Sequence, residues 1–310
     1  MPTTVLVTGG AGFIGSHLVD ALVVEGHAVR VVDDFSTGFR KNIAQHGAKV
    51  ELLEGDLAEE STAREACRDI EFVFHQAAIP SVPRSLQDPF QTQRAGEVAT
   101  LQLLEACAAH RVKRVMFAAS SSVYGDEPLL PRVETQPPAP LSPYAASKLA
   151  CEGYMHACAS CRGVDTVCLR YFNIFGPRQD PDSPYSAVIA LFLERMRHGK
   201  APHIHGDGSQ TRDFTYVANA VHANLLAMRA ARPLRGAACN VGIGTRVSVN
   251  ALVAALNAAL ATNIQPTYGP ARPGDVRDSL ADIRRARELF GYEPQVSFEE
   301  GIRRLVKSTG

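Results

Sequence analysis

A tyrosine and a lysine stand four residues apart in the segment "SPYAASK", residues 142–148. If this segment is helical, Tyr144 and Lys148 lie on one face of the helix, one turn apart. A cation beside a phenol lowers the pKa of the phenol, so the pair predicts a tyrosine that exchanges protons with a substrate. An isolated pair of this kind is more commonly a surface feature of a helix, and the interpretation therefore depends on the surrounding motifs.

A glycine-rich segment, "TGGAGFIG" at residues 8–15, follows a short apolar run and precedes a helical pattern. Gly9, Gly12 and Gly15 let the backbone turn sharply and approach a diphosphate, and the helix N-terminus adds free N–H donors. The next apolar run ends at Asp33, where an acid accepts hydrogen bonds from an adenosine ribose and disfavours a 2′-phosphate. The pattern therefore predicts NAD rather than NADP, with Asp34 as an alternative to Asp33.

A bound dinucleotide would also explain a reactive tyrosine. A phenol with an ordinary pKa of about 10 needs roughly 4 kcal/mol of preferential stabilisation of the phenolate to reach a pKa near 7. One neighbouring cation lowers a pKa by about 1–3 units. Lys148 and an oxidised nicotinamide ring together meet this requirement.

The elements that must carry these residues alternate along the first half of the chain. Short apolar runs predict strands at residues 4–9, 27–33, 49–56, 71–78, 112–121 and 164–173. Longer helical patterns cover residues 14–26, 90–110 and 142–160. Alternating strands and helices predict a parallel sheet that is covered on both faces. Asp56, at the end of the third run, is placed either to reach the adenine or to cap a helix.

After residue 173 the pattern becomes richer in loops. Helices are expected at residues 186–199, 217–231 and 248–261, with a strand near 237–241. We therefore predict an α/β fold with a doubly wound (Rossmann) parallel sheet and a smaller α/β lobe that binds substrate. The predicted NAD-binding domain covers residues 1–173 and regains segments near 212–242, and residues 174–310 form mainly the substrate-binding lobe.

Composition excludes several other classes of protein. Lys plus Arg and Asp plus Glu number 32 each, so the 310-residue chain lacks the basic excess of a nucleic-acid binder. We expect no signal peptide and no membrane span, because no apolar run approaches about 20 residues. Seven scattered cysteines suit a reducing cytoplasm. Cys158 and Cys161 lack a second pair, and we expect no metal site at them or at His203 and His205.

Five motifs occur in the order and spacing of a known family: "TGGAGFIGSH", "HQAA", "AASSSVYGD", "SPYAASK" and "LRYFNIFGPRQ". The chain resembles the extended short-chain dehydrogenase/reductases and, within them, the nucleotide-sugar 4-epimerases. Three further segments, "SVPRSLQDP", "GDGSQTRDF" and "RPGDVRDSLAD", are most similar to those of UDP-N-acetylglucosamine and UDP-glucose 4-epimerases. The resemblance covers nearly the whole chain.

The resemblance implies roles for matching residues. Tyr144 is the acid and base, Lys148 binds the nicotinamide ribose, and Ser120 assists at the sugar hydroxyl, with Ser121 and Ser122 as alternatives. The implied cofactor contacts are Gly9, Gly12, Phe13, Ile14, Gly15, Asp33, Asp34, Asp56, Leu57, Gln76, Ala77, Ala78, Lys148 and Tyr171. The implied substrate contacts are Arg84, Ser121, Ser122, Tyr144, Asn173, Val188, Arg212, Arg272, Asp275 and Ser279.

Two positions bear on substrate and on local structure. Members of the family place a residue that controls access to the sugar where this chain has Ser279, and a serine there leaves room for a 2-acetamido group. Gly96 stands where the family usually has Asn, so a hydrogen bond behind the cofactor is missing or supplied elsewhere. Arg84 and Arg178 are each either a solvated charge or a sugar contact.

The implied reaction is NAD-dependent 4-epimerisation of a UDP-hexose. Tyr144 takes the proton of the 4-hydroxyl while C4 passes a hydride to NAD, and the transient 4-keto sugar receives the hydride on its other face. The preferred substrates are UDP-GlcNAc and UDP-GalNAc, with UDP-Glc and UDP-Gal next, and the resemblance also implies a homodimer formed through helices 90–110 and 142–160.

Three alternatives remain at this point. In a UDP-glucuronate 4-epimerase, Arg84 or Arg178 would hold the carboxylate. Another reductase or a dehydratase of the same family is disfavoured, because 4,6-dehydratases commonly have Asp-Glu where this chain has Ser121 and Ser122. The most remote alternative is a non-catalytic NAD-binding regulator on the same fold.

Overall fold

The structure is a computed structural model, which describes residues 2–180, 188–271 and 277–308. The strands in chain order are β1 (Thr4–Thr8), β2 (Ala28–Asp33), β3 (Val50–Glu54), β4 (Phe72–His75), β5 (Arg114–Ser120), β6 (Asp165–Tyr171), β7 (Ile174–Phe175), β8 (His203–His205), β9 (Thr211–Arg212), β10 (Thr215–Tyr216), β11 (Ala237–Val241), β12 (Val247–Ser248) and β13 (Thr267–Gly269). The helices are α1 (Phe13–Val24), α2 (Glu60–Ala66), α3 (Val82–Gln87), α4 (Pro89–Gln93), α5 (Ala99–Ala109), α6 (Pro143–Cys161), α7 (Val188–Arg197), α8 (Val217–Arg229), α9 (Val249–Leu260), α10 (Arg284–Phe290) and α11 (Phe298–Ser308).

Seven of these strands pair in parallel into one sheet, in the order β11, β6, β5, β4, β1, β2, β3. The chain winds outward from β1 in one direction and from β4 in the other, so the order of strands reverses between them. In such sheets a crevice opens at this reversal, beyond the carboxyl ends of the strands. The doubly wound α/β fold predicted from the sequence is confirmed.

Both faces of the sheet are covered by helices. Val5 and Val7 of β1 belong to one apolar cluster, which includes residues of α1 and α8. Leu6, which points to the opposite face, packs in a second cluster with residues of α2, α5 and α6. Burial on both sides explains why the strand sequences are continuously apolar instead of alternating.

The smaller lobe has a core of its own, in which α7, α9 and α11 pack around Phe175, Phe214 and Tyr216. It contains two-stranded pairs such as β9 with β12, which places Arg212 beside Val247. The strand at 237–241 returns to the main sheet. The domain boundaries at residues 173 and 174 remain a prediction.

The helix predicted at residues 90–110 is continuous but not uniform. It consists of α4, a π-helical turn at Arg94–Val98, and α5. A Cβ added at Gly96 would lie 3.4 Å from the hydroxyl oxygen of Ser147 on α6. This is an ordinary van der Waals distance, so the packing of the widened turn against α6 does not require glycine at this position.

Within the described ranges, no helix is both long enough and apolar enough to cross a lipid bilayer. Cytoplasmic localisation remains a prediction from the sequence.

Candidate active site

A cleft of about 1030 Å³ runs along the carboxyl ends of β1, β2, β4, β5 and β6 toward the smaller lobe. It brings together most of the residues that the sequence singled out. These are Gly9, Gly12, Phe13, Ile14, Gly15, Asp33, Asp34, Asp56, Leu57, Gln76, Ala77, Ala78, Arg84, Ser120, Ser121, Ser122, Tyr144, Lys148, Tyr171, Asn173, Arg178, Arg212 and Ser279.

Three of the predicted substrate contacts are not among these residues. Arg272 and Asp275 lie outside the described residues. Val188 is the first residue of α7, and its side chain packs against the apolar core of the smaller lobe instead of lining the cleft. A β-branched apolar residue at the start of an amphipathic helix is stabilised by such packing.

The glycine loop fits a diphosphate. A Cβ on Gly15 would lie 2.1 Å from the carbonyl oxygen of Gly9, and a Cβ on Gly9 would lie 2.8 Å from the backbone nitrogen of Ala77. Gly9 also adopts a φ of 64°, which side-chain-bearing residues rarely adopt. Among the residues that the structure describes, no side chain caps the N-terminus of α1 at Gly12, so its N–H groups are available to an anion.

Asp33 lines the cleft at the end where the glycine loop lies. Its carboxylate accepts hydrogen bonds from the backbone N–H groups of Ala11, at 2.8 Å, and Phe35, at 2.9 Å. Burial raises the pKa of Asp33, and these hydrogen bonds oppose the shift. The neighbouring Asp34 accepts from the backbone and hydroxyl of Ser36 at 2.9 and 2.7 Å. Asp33 is thus the buried acid of the two, fixed directly against the glycine loop.

Asp56 forms a turn rather than a helix cap. One carboxylate oxygen accepts from the backbone N–H of Ala58 at 2.8 Å, and the other pairs with Arg94 at 2.9 Å. The residue that precedes α2 is Glu59, so the alternative of a helix cap at Asp56 is not what the structure has. Asp56 lines the cleft, where an adenine contact stays a prediction.

Tyr144 is placed by a well-formed helix start. Ser142 caps α6 by accepting a hydrogen bond from the backbone N–H of Ala145 at 3.2 Å, and Pro143 occupies the first helical position. This puts the phenol of Tyr144 in hydrogen-bonding contact with the Ser120 hydroxyl at the end of β5. The structure therefore joins the predicted tyrosine and serine, which lie on different elements.

Ser122 orients Ser120. The hydroxyl of Ser122 donates to the Ser120 oxygen at 2.8 Å, and the Ser122 backbone N–H donates to the same oxygen at 3.2 Å. With its oxygen accepting two hydrogen bonds, Ser120 has its own proton free to donate to Tyr144. Of the three serines, Ser120 is the one in contact with the phenol, and Ser122 supports it.

The sequence predicts a lowered pKa for Tyr144, but in the structure this pKa is raised. Burial raises it above the ordinary value of a phenol, and the hydrogen bond with Ser120 lowers it only in part. The ammonium of Lys148 donates to the carbonyl of Ala118 at 2.7 Å and lies 4.7 Å from the ring centre of Phe117. The groups of the chain alone thus leave Tyr144 a weak acid, and its activation needs the second positive charge inferred from the sequence.

Lys148 is buried, and burial lowers its pKa to about 8, so the side chain is still largely charged near neutral pH. His75 lies behind it and is neutral, because burial lowers the His75 pKa to about 3. The two His75 ring nitrogens contact the hydroxyls of Thr8 at 2.8 Å and Thr100 at 3.0 Å. Thr100 lies one turn beyond Gly96 on α5, and its bond to His75 does not show whether it replaces the contact of the family's Asn.

Tyr171 is fixed by two amide side chains. The amide nitrogen of Asn224 donates to the Tyr171 hydroxyl at 2.6 Å, and that hydroxyl donates to Gln76 at 3.3 Å. Burial raises the pKa of Tyr171 to about 12, so this hydroxyl remains protonated. Tyr171 is therefore a rigid wall of the cleft, and Asn224, which sequence reasoning missed, holds it.

The smaller lobe adds Arg212 and Ser279. Arg212 donates to the carbonyl groups of Thr211 and Arg277 at 2.9 Å each. Ser279 is only 9% exposed, and its backbone N–H donates to the Thr211 carbonyl at 3.1 Å. These contacts hold the segment that carries Ser279 against β9.

Asp213, a second residue that sequence reasoning missed, holds together the segments that surround Arg212 and Ser279. Its fully buried carboxylate accepts hydrogen bonds from the backbone N–H groups of Ile243, Gly244 and Ala281 at 2.9, 3.0 and 3.2 Å. Burial raises the pKa of Asp213 to about 6. The residue joins three chain segments around Arg212 and Ser279, and only the tertiary fold reveals this role.

Arg84 and Arg178 differ in their partners. Arg178 pairs with Asp20 and donates to the carbonyl of Asn42 at 3.3 Å, so its charge is already neutralised. Arg84 donates to the neutral side-chain oxygen of Gln91 at 3.0 Å. In the described parts of the chain, no cluster of three or more His, Cys, Asp or Glu side chains is arranged to hold a metal ion.

Comparison with known proteins assigns the family. Residues 5–242 match the model of the NAD dependent epimerase/dehydratase family. The chain belongs to this family. The family identification, NAD as the cofactor and the class of NAD-dependent nucleotide-sugar 4-epimerase are confirmed by these matches and by the relatives that follow.

Three relatives illustrate the range of family members similar to this chain. A UDP-glucose 4-epimerase from Mycolicibacterium smegmatis is 39% identical over 307 residues, which are 97% of each chain. The structure of a UDP-N-acetylglucosamine 4-epimerase from Methanobrevibacter ruminantium, in complex with UDP-N-acetylmuramic acid, has 39% identity and a TM-score of 0.94, with 99% of this chain and 97% of that chain covered. A UDP-glucuronic acid 4-epimerase from Bacillus cereus, in complex with UDP-glucuronic acid and NAD, has 30% identity and a TM-score of 0.91, with 99% and 100% covered.

Proposed function

We propose that this member of the NAD dependent epimerase/dehydratase family interconverts the C4 epimers of a UDP-hexose, with UDP-GlcNAc and UDP-GalNAc as the preferred pair and UDP-Glc and UDP-Gal as further substrates. One observation carries the proposal. The phenol of Tyr144 contacts the Ser120 hydroxyl in the cleft that the glycine loop and Asp33 also line, with the buried Lys148 one helical turn away. This arrangement suits proton exchange with a sugar hydroxyl.

Each group of the chain then has a defined task. NAD, when bound, accepts a hydride from C4 and returns it. Tyr144 takes the proton of the 4-hydroxyl and gives it back, and Ser120 hydrogen-bonds the reacting hydroxyl. Lys148 binds the ribose next to the nicotinamide, while the glycine loop and the N-terminus of α1 hold the diphosphate. By resemblance, Arg212, Arg272 and Asp275 hold the diphosphate and the uridine ribose of the substrate.

The test is an assay of purified protein with a panel of UDP-sugars and no added nucleotide. We expect C4 epimers of UDP-GlcNAc and UDP-GalNAc to form, because NAD that is regenerated in each cycle need not leave. Denatured protein should release NAD and not NADP, which mass spectrometry distinguishes. Absence of epimerisation for every sugar in the panel would refute the proposal.

The preference for acetamido sugars is supported by Ser279, a small residue that lines the cleft and is 9% exposed. Replacing it by tyrosine fills this space, so the Ser279→Tyr variant should lose kcat/KM for UDP-GlcNAc relative to UDP-Glc by about 10-fold or more, from a clash of roughly 1–3 kcal/mol. The measurement is the ratio of the two kcat/KM values in wild type and variant. An unchanged ratio would remove Ser279 from substrate selection.

A UDP-glucuronate 4-epimerase is the second candidate. The Bacillus cereus relative is a UDP-glucuronic acid 4-epimerase, and the guanidinium of Arg84 donates to the neutral side chain of Gln91. Arg178 is less suited to a carboxylate, because Asp20 already pairs with it. A non-catalytic regulator is disfavoured, because the structure brings Ser120, Tyr144 and Lys148 together.

A homodimer is also proposed, through the face formed by α4, α5 and α6. Three apolar side chains of this face are exposed: Phe90 at 81%, Leu101 at 41% and Val98 at 37%.

We expect Leu101→Asp combined with Phe90→Asp to convert a dimer into a monomer, because the change places charges in an apolar interface. Light scattering after size-exclusion chromatography measures the mass. Val24→Asp, on α1, is the matched control, since Val24 is 85% exposed on another helix. Wild-type protein that elutes as a monomer would contradict the proposal.

A further inference from the structure

Arg132 lies in the loop after β5 and lines the cleft. Only 3% of the residue is exposed. Its Nη2 donates a long hydrogen bond of 3.4 Å to the carbonyl of Gly125, and its Nη1 is buried and has no hydrogen-bond partner in the ranges described. Burial lowers the pKa of Arg132, and the nearby Glu127, Tyr124 and Asp126 oppose this shift.

Other buried arginines of the chain are neutralised by carboxylates. Arg170 forms two hydrogen bonds with Glu152, at 2.9 and 2.7 Å. Arg114 contacts Asp165 at 2.6 Å and donates to several backbone carbonyls. Within the described residues, Arg132 forms no ion pair. Its guanidinium carbon lies 6.0 Å from the ring centre of Tyr124, a contact that leaves the charge without a counterion. A buried cation without a carboxylate partner is costly, so its presence in a binding cleft points to an anionic ligand.

Backbone contacts fix Arg132 beside the sugar end of the cleft. Its N–H donates to the carbonyl of Leu280 at 2.8 Å, and its carbonyl accepts from Asp282 at 3.0 Å and from the Asn240 side chain at 2.8 Å. The segment to which it is tied is the one that carries Ser279. Its guanidinium reaches Gly125, directly after the turn that begins at Ser121.

We propose that Arg132 is a specificity-determining residue that binds a carboxylate carried by the sugar of the substrate. The inference rests on the proposed function, which places the sugar at Ser120 and Tyr144, and it extends the proposed substrates to a UDP-hexose that carries an acidic group. By resemblance Arg212 holds the diphosphate, which leaves Arg132 for the sugar. Arg178 is already paired with Asp20, so Arg132 is the better hydrogen-bond donor to a carboxylate.

The experiment uses two matched pairs of UDP-sugars that differ by one carboxylate. UDP-glucose and UDP-glucuronic acid differ at C6, and UDP-N-acetylglucosamine and UDP-N-acetylmuramic acid differ by a lactyl group. Dissociation constants are measured by calorimetry on purified protein with its bound NAD, and kcat/KM is measured where turnover occurs. The variants are Arg132→Met, which removes the charge, Arg132→Lys, which keeps it, and Arg84→Met, which tests the competing arginine.

In one of the two pairs, we expect wild type to bind the acidic sugar more tightly than the neutral one. Arg132→Met should reduce this preference by about 10- to 100-fold, as expected for a hydrogen bond between charged groups, and Arg132→Lys should restore part of it. The pair that responds shows where the carboxylate sits.

The inference is overturned if wild type prefers neither acid, a result that stands even if Arg132→Met does not fold. It is also overturned if Arg132→Met weakens both members of each pair equally, as a structural role would. A loss of the preference in Arg84→Met in place of Arg132→Met assigns the carboxylate to Arg84. Binding needs no turnover, so a wild type that binds but epimerises none of the four sugars refutes the proposed function and leaves the binding test of Arg132 in force.

Discussion

Replacing Tyr144 by phenylalanine is expected to lower kcat for 4-epimerisation by about 10²–10⁴-fold, the usual contribution of a positioned acid and base. The change removes one oxygen, the one in contact with the Ser120 hydroxyl, and leaves the aromatic ring to fill its place. Bound NAD should remain, because the glycine loop and Asp33 lie on other elements. The measurements are kcat for UDP-GlcNAc and the NAD content of the purified variant.

The matched control is Tyr154→Phe, on the same helix and partly buried against the apolar cluster. It removes the same atom about three helical turns away and should leave kcat unchanged. Wild-type activity in Tyr144→Phe would contradict the assignment of Tyr144. An equal loss of kcat in both variants would indicate damage to α6 and not the removal of the reacting hydroxyl.

The second large effect is expected at Gly15. In the Gly15→Ala variant the added Cβ would lie 2.1 Å from the Gly9 carbonyl oxygen and 2.9 Å from the Gly10 Cα, so the loop must open. We expect NAD binding to weaken by at least about tenfold, because the backbone can no longer approach the diphosphate. The free energy of unfolding should fall by about 1–3 kcal/mol, as is typical of overpacking. NAD content and denaturant unfolding measure the two effects.

Gly153→Ala provides the opposite control. Gly153 is exposed in α6, and an added Cβ there would meet nothing within 4 Å. Alanine should raise stability by about 0.5–1 kcal/mol, because it lowers the entropy of the unfolded chain in a helical position. If Gly15→Ala retained a full complement of NAD, the glycine loop would not be the diphosphate site.

The strands and their parallel pairing could be predicted from the sequence, because local signals indicate them. Continuous apolar runs such as those of β1 and β5 identify strands buried on both faces, and the interposed helices impose parallel pairing. The glycine loop and Asp33 are recognisable because their function depends on positions close in the chain. For the same reason, Tyr144 and Lys148 are visible as a pair on α6.

Sequence did not reveal the residues whose role depends on contacts between distant segments. Arg132 is placed by Leu280 and Asp282, about 150 residues away, and no local pattern marks its buried guanidinium. Asp213 joins segments that only the fold brings together. Short helices such as α2 and α3 give too few turns for periodicity to be detected. The pKa of Tyr144 likewise depends on burial, which motif spacing does not report.

The most direct test of the account is the fate of the hydrogen at C4. Purified protein is incubated without added nucleotide with UDP-GlcNAc that carries deuterium at C4, and the products are analysed by NMR. We predict UDP-GalNAc that retains the deuterium at C4, since the hydrogen leaves and returns as a hydride within one active site. Formation of the epimer with loss of deuterium to water, or no epimer of any UDP-hexose, would contradict the account.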